Sequence, residues 1–258
     1  MRYESRATDG GPRQGVQAIA RATSILRTLE AAPRGRGISE IAGITELPKS
    51  TVHRLVTALA NEHLVSQSED GRVRLGGGIV RLAAASREAL GEQLRPVLFD
   101  LRRRLDETVD LSVLDGAAVR FVEQVPAPHR LRAVSSVGEA FPLHCTANGK
   151  ALLAAMPEQR LLALLPAQLE RLTPSTIVDR EQLLVEIQAV RRSGVAFDRE
   201  EHTEGICAIG VAVPDETGVA AAAISVPVPS QRFSGREKEL ATAVRAAGAT
   251  ARELFDRQ

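Results

Sequence analysis

The stretch Leu47-Pro48-Lys49-Ser50-Thr51-Val52-His53-Arg54-Leu55-Val56-Thr57-Ala58-Leu59 decides how the chain is read. Proline suits the first position of a helix, where no N–H donor is needed and its fixed φ already fits. Beyond Pro48, the residues Val52, Leu55, Val56 and Leu59 keep the i, i+3, i+4, i+7 spacing of one buried face. Lys49, Ser50, Thr51, His53 and Arg54 fall mostly off that face, around the first turns. Such a helix suits a DNA major groove. Hydroxyls and the helix N-terminus reach phosphates, while His and Arg reach phosphates or base edges. An ordinary polar-faced surface helix has the same pattern, so the flanking stretches must decide.

Upstream, Val16, Ile19, Ile25, Leu26 and Leu29 can share a helical face to about Ala31, and Pro33, Gly35 and Gly37 end it. Ser39 is expected to N-cap a short second helix with Ile38, Ile41 and Ala42 turned inward. Downstream, Leu64–Ser68 and Arg72–Leu75 flank Glu69-Asp70-Gly71 and read as a hairpin. Three helices followed by a hairpin make a winged helix-turn-helix, with Arg72 and Arg74 on the wing. The expected DNA contacts are Lys49, Ser50, Thr51, His53 and Arg54, with Arg72 on the wing and Arg36 near the turn.

Charge is distributed in the same sense. Residues 1–104 hold 17 Lys and Arg against 11 Asp and Glu, a net +6; residues 105–258 hold 16 against 21, a net −5. A basic front and an acidic back assign a polyanion to the front alone. Aromatics make up 3% of the 258 residues, so base stacking on aromatic platforms is excluded as the main mode of contact. No apolar run of ~18 residues offers a membrane span, and the Arg-containing start lacks a signal peptide's apolar core; a cytoplasmic location is expected. Cys145 and Cys207 are too few for a disulfide framework and too far apart for a local metal knuckle.

The expected organisation is a disordered arm at 1–14, a winged helix-turn-helix at 15–76, a linker helix at 77–90 and a second domain at 91–258. Gly76-Gly77-Gly78 reads as a hinge, and Leu94, Val97, Leu98, Leu101 and Leu105 as a further helix starting near Pro96 or a few residues before it. Arg102-Arg103-Arg104 reads as the solvated face of that helix. Val109–Leu114 and Val119–Val125 form a hairpin around Asp115-Gly116, Leu131–Ser135 is an expected strand, and a loop runs through Gly138 and Pro142. Asn148–Met156 and Glu158–Leu165 read as short helices. Asp179 N-caps a longer helix stopped by Gly194, with Leu183, Leu184, Ile187 and Val190 on one side. Val195–Asp198, Ile206–Val213 and Val219–Val226 are strands, and Ser234 is expected to cap a final helix. Strands grouped around a few helices give an α+β domain with an antiparallel sheet.

The chain resembles the IclR family of bacterial transcription regulators from about Val16 onward. The resemblance rests on Ala-Pro-Arg-Gly at 32–35, Leu-Pro-Lys-Ser-Thr-Val-His-Arg-Leu at 47–55 and Gly71-Arg72-Val73-Arg74-Leu75-Gly76. It rests further on Pro142-Leu143-His144-Cys145-Thr146-Ala147-Asn148-Gly149-Lys150-Ala151, on Phe197-Asp198-Arg199-Glu200-Glu201 with Gly205, and on Ala223-Ile224-Ser225-Val226. It implies an N-terminal winged helix-turn-helix, a linker helix and a C-terminal GAF-like effector-binding domain. It also implies a homodimer or homotetramer on a pseudo-palindromic double-stranded operator, repressing or activating in response to a small organic molecule, often a carboxylate or aromatic catabolite. Repression is the expected output, and neither a cofactor nor a metal is expected.

Carried over position by position, the resemblance places Ala147, Asn148, Asp198, Ile206, Ala208 and Ser225 in an effector pocket. An anion before Gly149-Lys150 also makes physical sense, since orphan amides and the helix dipole favour it there. Many members show Arg-Cys-Ile where this chain has Cys207-Ala208-Ile209. A one-residue shift in a strand moves the thiol to the other face, so Ala208 rather than Cys207 is expected at the pocket. Pro227 stands where some members have a second serine, making the pocket less polar and pointing to a larger or more apolar effector.

Other chemistry is weaker. His144 and Cys145, adjacent in an extended stretch, should diverge rather than form a base and nucleophile. His144, Cys145, His202 and Cys207 have no usual zinc spacing. Lys150 lacks the upstream glycine of a phosphate-binding loop and reads as structural, and Glu200-Glu201 as a loop ion-pair site. An enzyme carrying a DNA-targeting domain, or a thiol redox sensor using Cys145 and Cys207, are the alternatives to a non-enzymatic regulator.

Overall fold

The computed structural model describes residues 12–30, 32–133, 137–214, 218 and 220–255. It divides into two compact units, Met1–Ser86 and Arg87–Gln258. The part of the expected arm at residues 1–11 lies outside the described residues.

In the first unit α1 (Pro12–Glu30), α2 (Ile38–Thr45) and α3 (Lys49–Asn61) precede a hairpin of β1 (Val65–Gln67) and β2 (Val73–Leu75). Helix α1 therefore begins inside the segment expected to be a disordered arm. Helix α2 starts one position ahead of Ser39, with Gly37 as its N-cap. The reason is local: the Glu40 carboxylate accepts the Gly37 N–H at 3.0 Å, and the Ile41 N–H already reaches the Gly37 carbonyl at 3.0 Å. Pro48 is likewise the N-cap of α3 rather than its first residue. Between the two helices the chain turns at Glu46, in the left-handed region at φ 56°.

The core of this unit joins Ile25 and Leu29 of α1, Ile41 of α2, Val52, Val56 and Leu59 of α3, and Val65 and Val73 of the hairpin. The hairpin is tied back by paired backbone bonds between Arg36 and Val73, 3.0 and 2.8 Å long. Gly35, at φ +80°, permits this, since a Cβ there would lie 2.7 Å from the Val73 carbonyl. The Gly76–Gly78 stretch is not a free hinge. A Cβ on Gly76 or Gly78 would fall 2.3 or 2.7 Å from the His63 carbonyl, so these glycines allow close backbone approach.

Helix α4 (Gly77–Leu105) is continuous. The expected break near Pro96 does not occur; proline removes one backbone donor there, but the apolar residues Leu94, Val97, Leu98, Leu101 and Leu105 stay on one buried face.

In the second unit β3 (Val109–Asp115), β4 (Ala118–Val125) and β5 (Ala140–Pro142) lead to α5 (Ala147–Ala154), α6 (Glu158–Leu164) and α7 (Arg180–Ser193). Then come β6 (Ala196–Arg199), β7 (Ile206–Pro214), β8 (Ala220–Pro229), α8 (Ser230–Phe233) and α9 (Glu237–Phe255). The six strands form one antiparallel sheet in the order β5-β4-β3-β8-β7-β6. Three expectations are corrected. The loop through Pro142 contains β5; residues 131–133 are not a strand, while 134 and 135 lie outside the described residues. Ser234 ends α8 instead of capping α9, because its N–H is held by the Ser230 carbonyl at 3.3 Å.

Strand alternation sorts the sheet into two faces. Val109, Leu111 and Val113, Ile209 and Val213, and Ile224, Val226 and Val228 pack with Leu94, Leu98 and Leu101 of α4 and Leu240 and Val244 of α9. The other face receives α5, whose Leu152 and Leu153 cluster with Val119, Ala223, Leu161, Leu183 and Ile187. Burial of such side chains contributes roughly 1.5–3 kcal/mol each. That outweighs the roughly 1 kcal/mol that Gly149 costs inside α5 relative to alanine. Gly149 is needed, since a Cβ there would lie 2.4 Å from the Leu143 carbonyl. Among the described residues no helix is long and apolar enough to cross a membrane.

Candidate functional site

Helix α3 buries Val52, Val56 and Leu59 and exposes Lys49, Ser50, His53, Arg54 and Thr57, with Thr51 half-buried at the edge. All five polar residues expected on this helix therefore lie on or beside one solvent-facing surface. The two other expected contacts sit differently. The Arg36 Nε donates to the Thr28 carbonyl at 3.1 Å, and the Arg72 Nη1 donates to the Gly35 carbonyl at 3.0 Å. Arg72 also lies 3.9 Å from Glu40 and 3.7 Å from Asp70. Both arginines fasten the wing to the helices while keeping further N–H donors in hand. Arg34 and Arg74 are exposed beside them.

The second unit holds a cavity of about 300 Å³ on the α5 face of the sheet. Ala147, Asn148, Asp198, Ile206, Ala208 and Ser225 all line it. Cys207 does not: its side chain belongs to the cluster on the opposite face, with its Sγ 3.4 Å from the Ser230 hydroxyl. Gly210 sets the height of α5 above the sheet, since a Cβ there would be 2.9 Å from the Ala147 carbonyl carbon. The Thr146 hydroxyl caps α5 by accepting the Gly149 N–H at 3.2 Å and donates to the Pro142 carbonyl at 2.9 Å. The Asn148 side chain is turned away from solvent, donating to the Ser112 hydroxyl at 2.9 Å. What it offers the cavity is backbone, because the first amides of a helix have no partner within it.

Asp198 stands on the cavity wall and accepts the Glu201 N–H at 2.7 Å. Burial pushes its carboxyl up to about 7, reinforced by the Glu201 charge and opposed by backbone donors and Lys150. Lys150 has no exposed surface; its Nζ lies 2.6 Å from Glu201 Oε1 and 3.4 Å from Glu186 Oε1. It is a structural cation that ties α5 to α7 and to the loop after β6. Glu200 accepts the Gly205 N–H at 3.0 Å and helps close the same loop.

Cys145 is not poised as a nucleophile. Burial, then the Asp198 and Glu201 charges, push the Cys145 thiol up to about 12, so it stays protonated. The His144 Nε2 is engaged with the Glu170 carbonyl at 2.9 Å. Both cysteines are free and buried, and no cluster of metal-ligating side chains occurs among the described residues.

Sequence reasoning missed much of the cavity wall, including Asp110, Phe121, Arg132, Phe141 and His202. A signal was present for Asp110: Val109-Asp110-Leu111-Ser112-Val113 alternates, and both of its polar residues are buried. Phe141 and His202, stacked at 4.1 Å between centroids, come from separate loops or edges with no periodicity to read.

Two family descriptions match the chain: "IclR helix-turn-helix domain" at residues 18–69 and "Bacterial transcriptional regulator IclR C-terminal" at residues 82–253. The chain is 51% identical over 245 residues to HTH-type transcriptional regulator Rv1719 of Mycobacterium tuberculosis, covering 95% of this chain and 93% of that protein. It is 37% identical over 225 residues to HTH-type transcriptional regulator TtgV of Pseudomonas putida, covering 87% and 86%. A solved IclR homolog of Microbacterium hydrocarbonoxydans, complexed with 4-hydroxybenzoate, matches with a TM-score of 0.61 at 26% identity, covering 93% of this chain and all of that one. A helix-turn-helix with a polar α3 face, a six-stranded domain enclosing a cavity, and these matches over nearly the whole length converge: the chain belongs to the IclR family of bacterial transcriptional regulators.

Proposed function

We propose that this regulator binds a pseudo-palindromic operator as a dimer or tetramer in the cytoplasm and releases it when a small organic molecule fills the cavity beside α5. The observation that carries the reading is the division of labour between a capped helix-turn-helix with an open polar face and a separate, partly enclosed cavity. Lys49, Ser50, Thr51, His53 and Arg54 are the contacts of α3, with base reading assigned to Arg54 and His53. Arg36 and Arg72 hold the wing and reach phosphates through their remaining N–H groups, with exposed Arg74 beside them. Repression is the output, since an operator-bound assembly excludes other proteins from the DNA it covers. The chain is a regulator and not an enzyme; its buried, protonated Cys145 supports this.

The effector is a small aromatic catabolite or carboxylate, a class that includes the ligand of the solved Microbacterium relative. It acts only to the extent that its affinity differs between the DNA-competent arrangement and the other one. The experiment is selection of genomic fragments on the purified protein across salt concentrations. One recovered pseudo-palindrome supports the reading; only weak binding to all DNA, steeply dependent on salt, counts against it.

A further inference from the structure

We propose that Arg232 is a positioning residue: it holds one wall of this cavity, the segment 126–133, against the C-terminal end of α4, so that what fills the cavity is felt at that helix end. The last clause rests on the reading of the cavity as the effector site.

The segment follows β4, has no regular structure of its own, and contributes Arg132 and Ala133 to the cavity wall. Among the described residues it makes no backbone–backbone hydrogen bond, so side chains set its place. The Arg102 Nε donates to the Pro126 carbonyl at 3.3 Å. The Thr108 hydroxyl accepts the Ala127 N–H at 3.1 Å and donates to the Ala133 carbonyl at 3.0 Å. The His129 Nε2 lies 3.1 Å from Asp106 Oδ2, and the Arg232 Nη1 donates to the Leu131 carbonyl at 3.2 Å. Four of these five contacts come from residues 102–108, the last turn of α4 and its junction with β3.

The fifth contact is brought to the same place. The Arg232 Nε and Nη2 donate to the two Glu107 carboxylate oxygens at 2.8 and 2.7 Å, a bidentate pair, and Glu107 is 2% exposed. Arg236 donates to Glu107 Oε1 at 3.3 Å and to the Leu105 carbonyl at 3.0 Å, one of the acceptors that a helix leaves unpaired at its C-terminus. Asp106, at φ 58°, then turns the chain out of α4. Arg232 itself follows β8, the strand that carries Ser225 and Pro227 of the cavity. A planar guanidinium that gives two donors to a buried carboxylate and a third to Leu131 has little freedom left. A shift of Leu131 is therefore passed to Glu107, two residues beyond the end of α4.

A ligand meets the segment at Arg132 and Ala133, directly after Leu131. No strand ladder resists their displacement. A ligand that needs these two residues elsewhere carries the Leu131 carbonyl with them, and one that fits them as they stand braces the clamp. The helix end responds only to a ligand whose affinity differs between the two positions of the segment.

The test compares the full chain with Arg232→Lys and Arg236→Lys, each checked for cooperative urea unfolding. Lysine keeps a charge beside Glu107, but a single ammonium cannot serve both Glu107 oxygens and the Leu131 carbonyl in place of the fork. Native-state trypsin cleavage after Arg130 and Arg132, located by mass spectrometry, reports opening of the segment, and amide exchange of Leu105 and Asp106 reports the end of α4. Arg232→Lys is expected to speed the cleavage at least about tenfold and to speed the exchange as well. Arg236→Lys, which makes no contact with the segment, is expected to speed the exchange and leave the cleavage within about twofold. Glu107→Gln combined with Arg232→Gln strands no charge and should cleave as fast as Arg232→Lys. Saturating 4-hydroxybenzoate is expected to alter both readouts in the parent and the cleavage alone in Arg232→Lys. Unchanged cleavage in both Arg232 variants, or exchange at Leu105 and Asp106 that the probe alters equally in parent and Arg232→Lys, would overturn the proposal. No effect of the probe on heat or cleavage would count against the effector reading of the cavity, while the contrast between Arg232→Lys and Arg236→Lys still decides whether Arg232 positions its wall.

Discussion

Replacing Lys150 by methionine tests the electrostatic frame that holds the cavity. The native ammonium is fully buried, 2.6 Å from Glu201 and 3.4 Å from Glu186. Glu201 is itself buried, with its Oε2 making no hydrogen bond among the described residues. Methionine preserves most of the side-chain volume, so the cavity cost is small. The dominant effect is the Glu201 carboxylate left in the interior without its counter-charge, which costs about 3–5 kcal/mol. Glu186 adds little, because its side chain is 28% exposed and its share is screened. With a urea m-value of about 2 kcal/mol/M, the midpoint should fall by roughly 1.5–2.5 M. Far-UV circular dichroism during urea titration measures the midpoint, and amide exchange in α5 shows whether the loss is centred there. The double variant Lys150→Met with Glu201→Gln removes the stranded charge, so it should recover at least about half of the loss. A midpoint change in Lys150→Met below about 0.5 M, or no recovery in the double variant, would show that the pair is hydrated and not part of the frame.

The remaining expectations are more local. Burial raises the Asp198 carboxyl from 3.8 to about 7, so the folded chain holds that proton longer than the unfolded one. Stability should therefore fall as pH rises from about 4 to 7 and then level off, by up to about 4 kcal/mol, and melting curves of Asp198→Asn should lack that fall. Arg54→Ala should weaken operator binding by about 1–3 kcal/mol and relax sequence preference at one base; a uniform loss across DNA sequences in competition assays would reassign Arg54 to phosphate. Gly210→Ala places a methyl 2.9 Å from the Ala147 backbone, so it should cost about 1–3 kcal/mol in denaturant unfolding by lifting α5. Replacing both cysteines by serine should leave DNA binding insensitive to added peroxide or thiol, as in the parent; an oxidation response that the replacement abolishes would restore the redox-sensor alternative.

What was legible in the sequence follows from how local its causes are. Asp179 accepts the Gln182 N–H at 2.8 Å and Gly194 closes α7 at φ 73°, as capping residues on either side of an apolar stripe should. The α3 stripe was equally plain, because its period alone fixes which residues face the core. The continuous α4 was not, since Pro96 argues for a break on local grounds and only long-range packing of Leu94, Leu98 and Leu101 overrides it. The Gly76–Gly78 stretch misled for a related reason. Composition shows that glycine is needed, but not that the need comes from the His63 carbonyl.

The cavity divides along the same line. The residues expected there by resemblance occupy its wall, and strand alternation explains why Ala208 faces it while Cys207 lies behind the sheet. The carboxylate at its far end came from a different strand, β3, which reaches Ser225 only because β8 inserts between β3 and β7. No local pattern states that insertion. Yet it decides which polar groups share the floor, placing Asp110 beside Ser225 and three strands from Asp198. The helix start before Gly149 is a local signal for an anion, whereas the two acids that share its cavity, Asp110 from β3 and Asp198 from β6, come together only through the strand order.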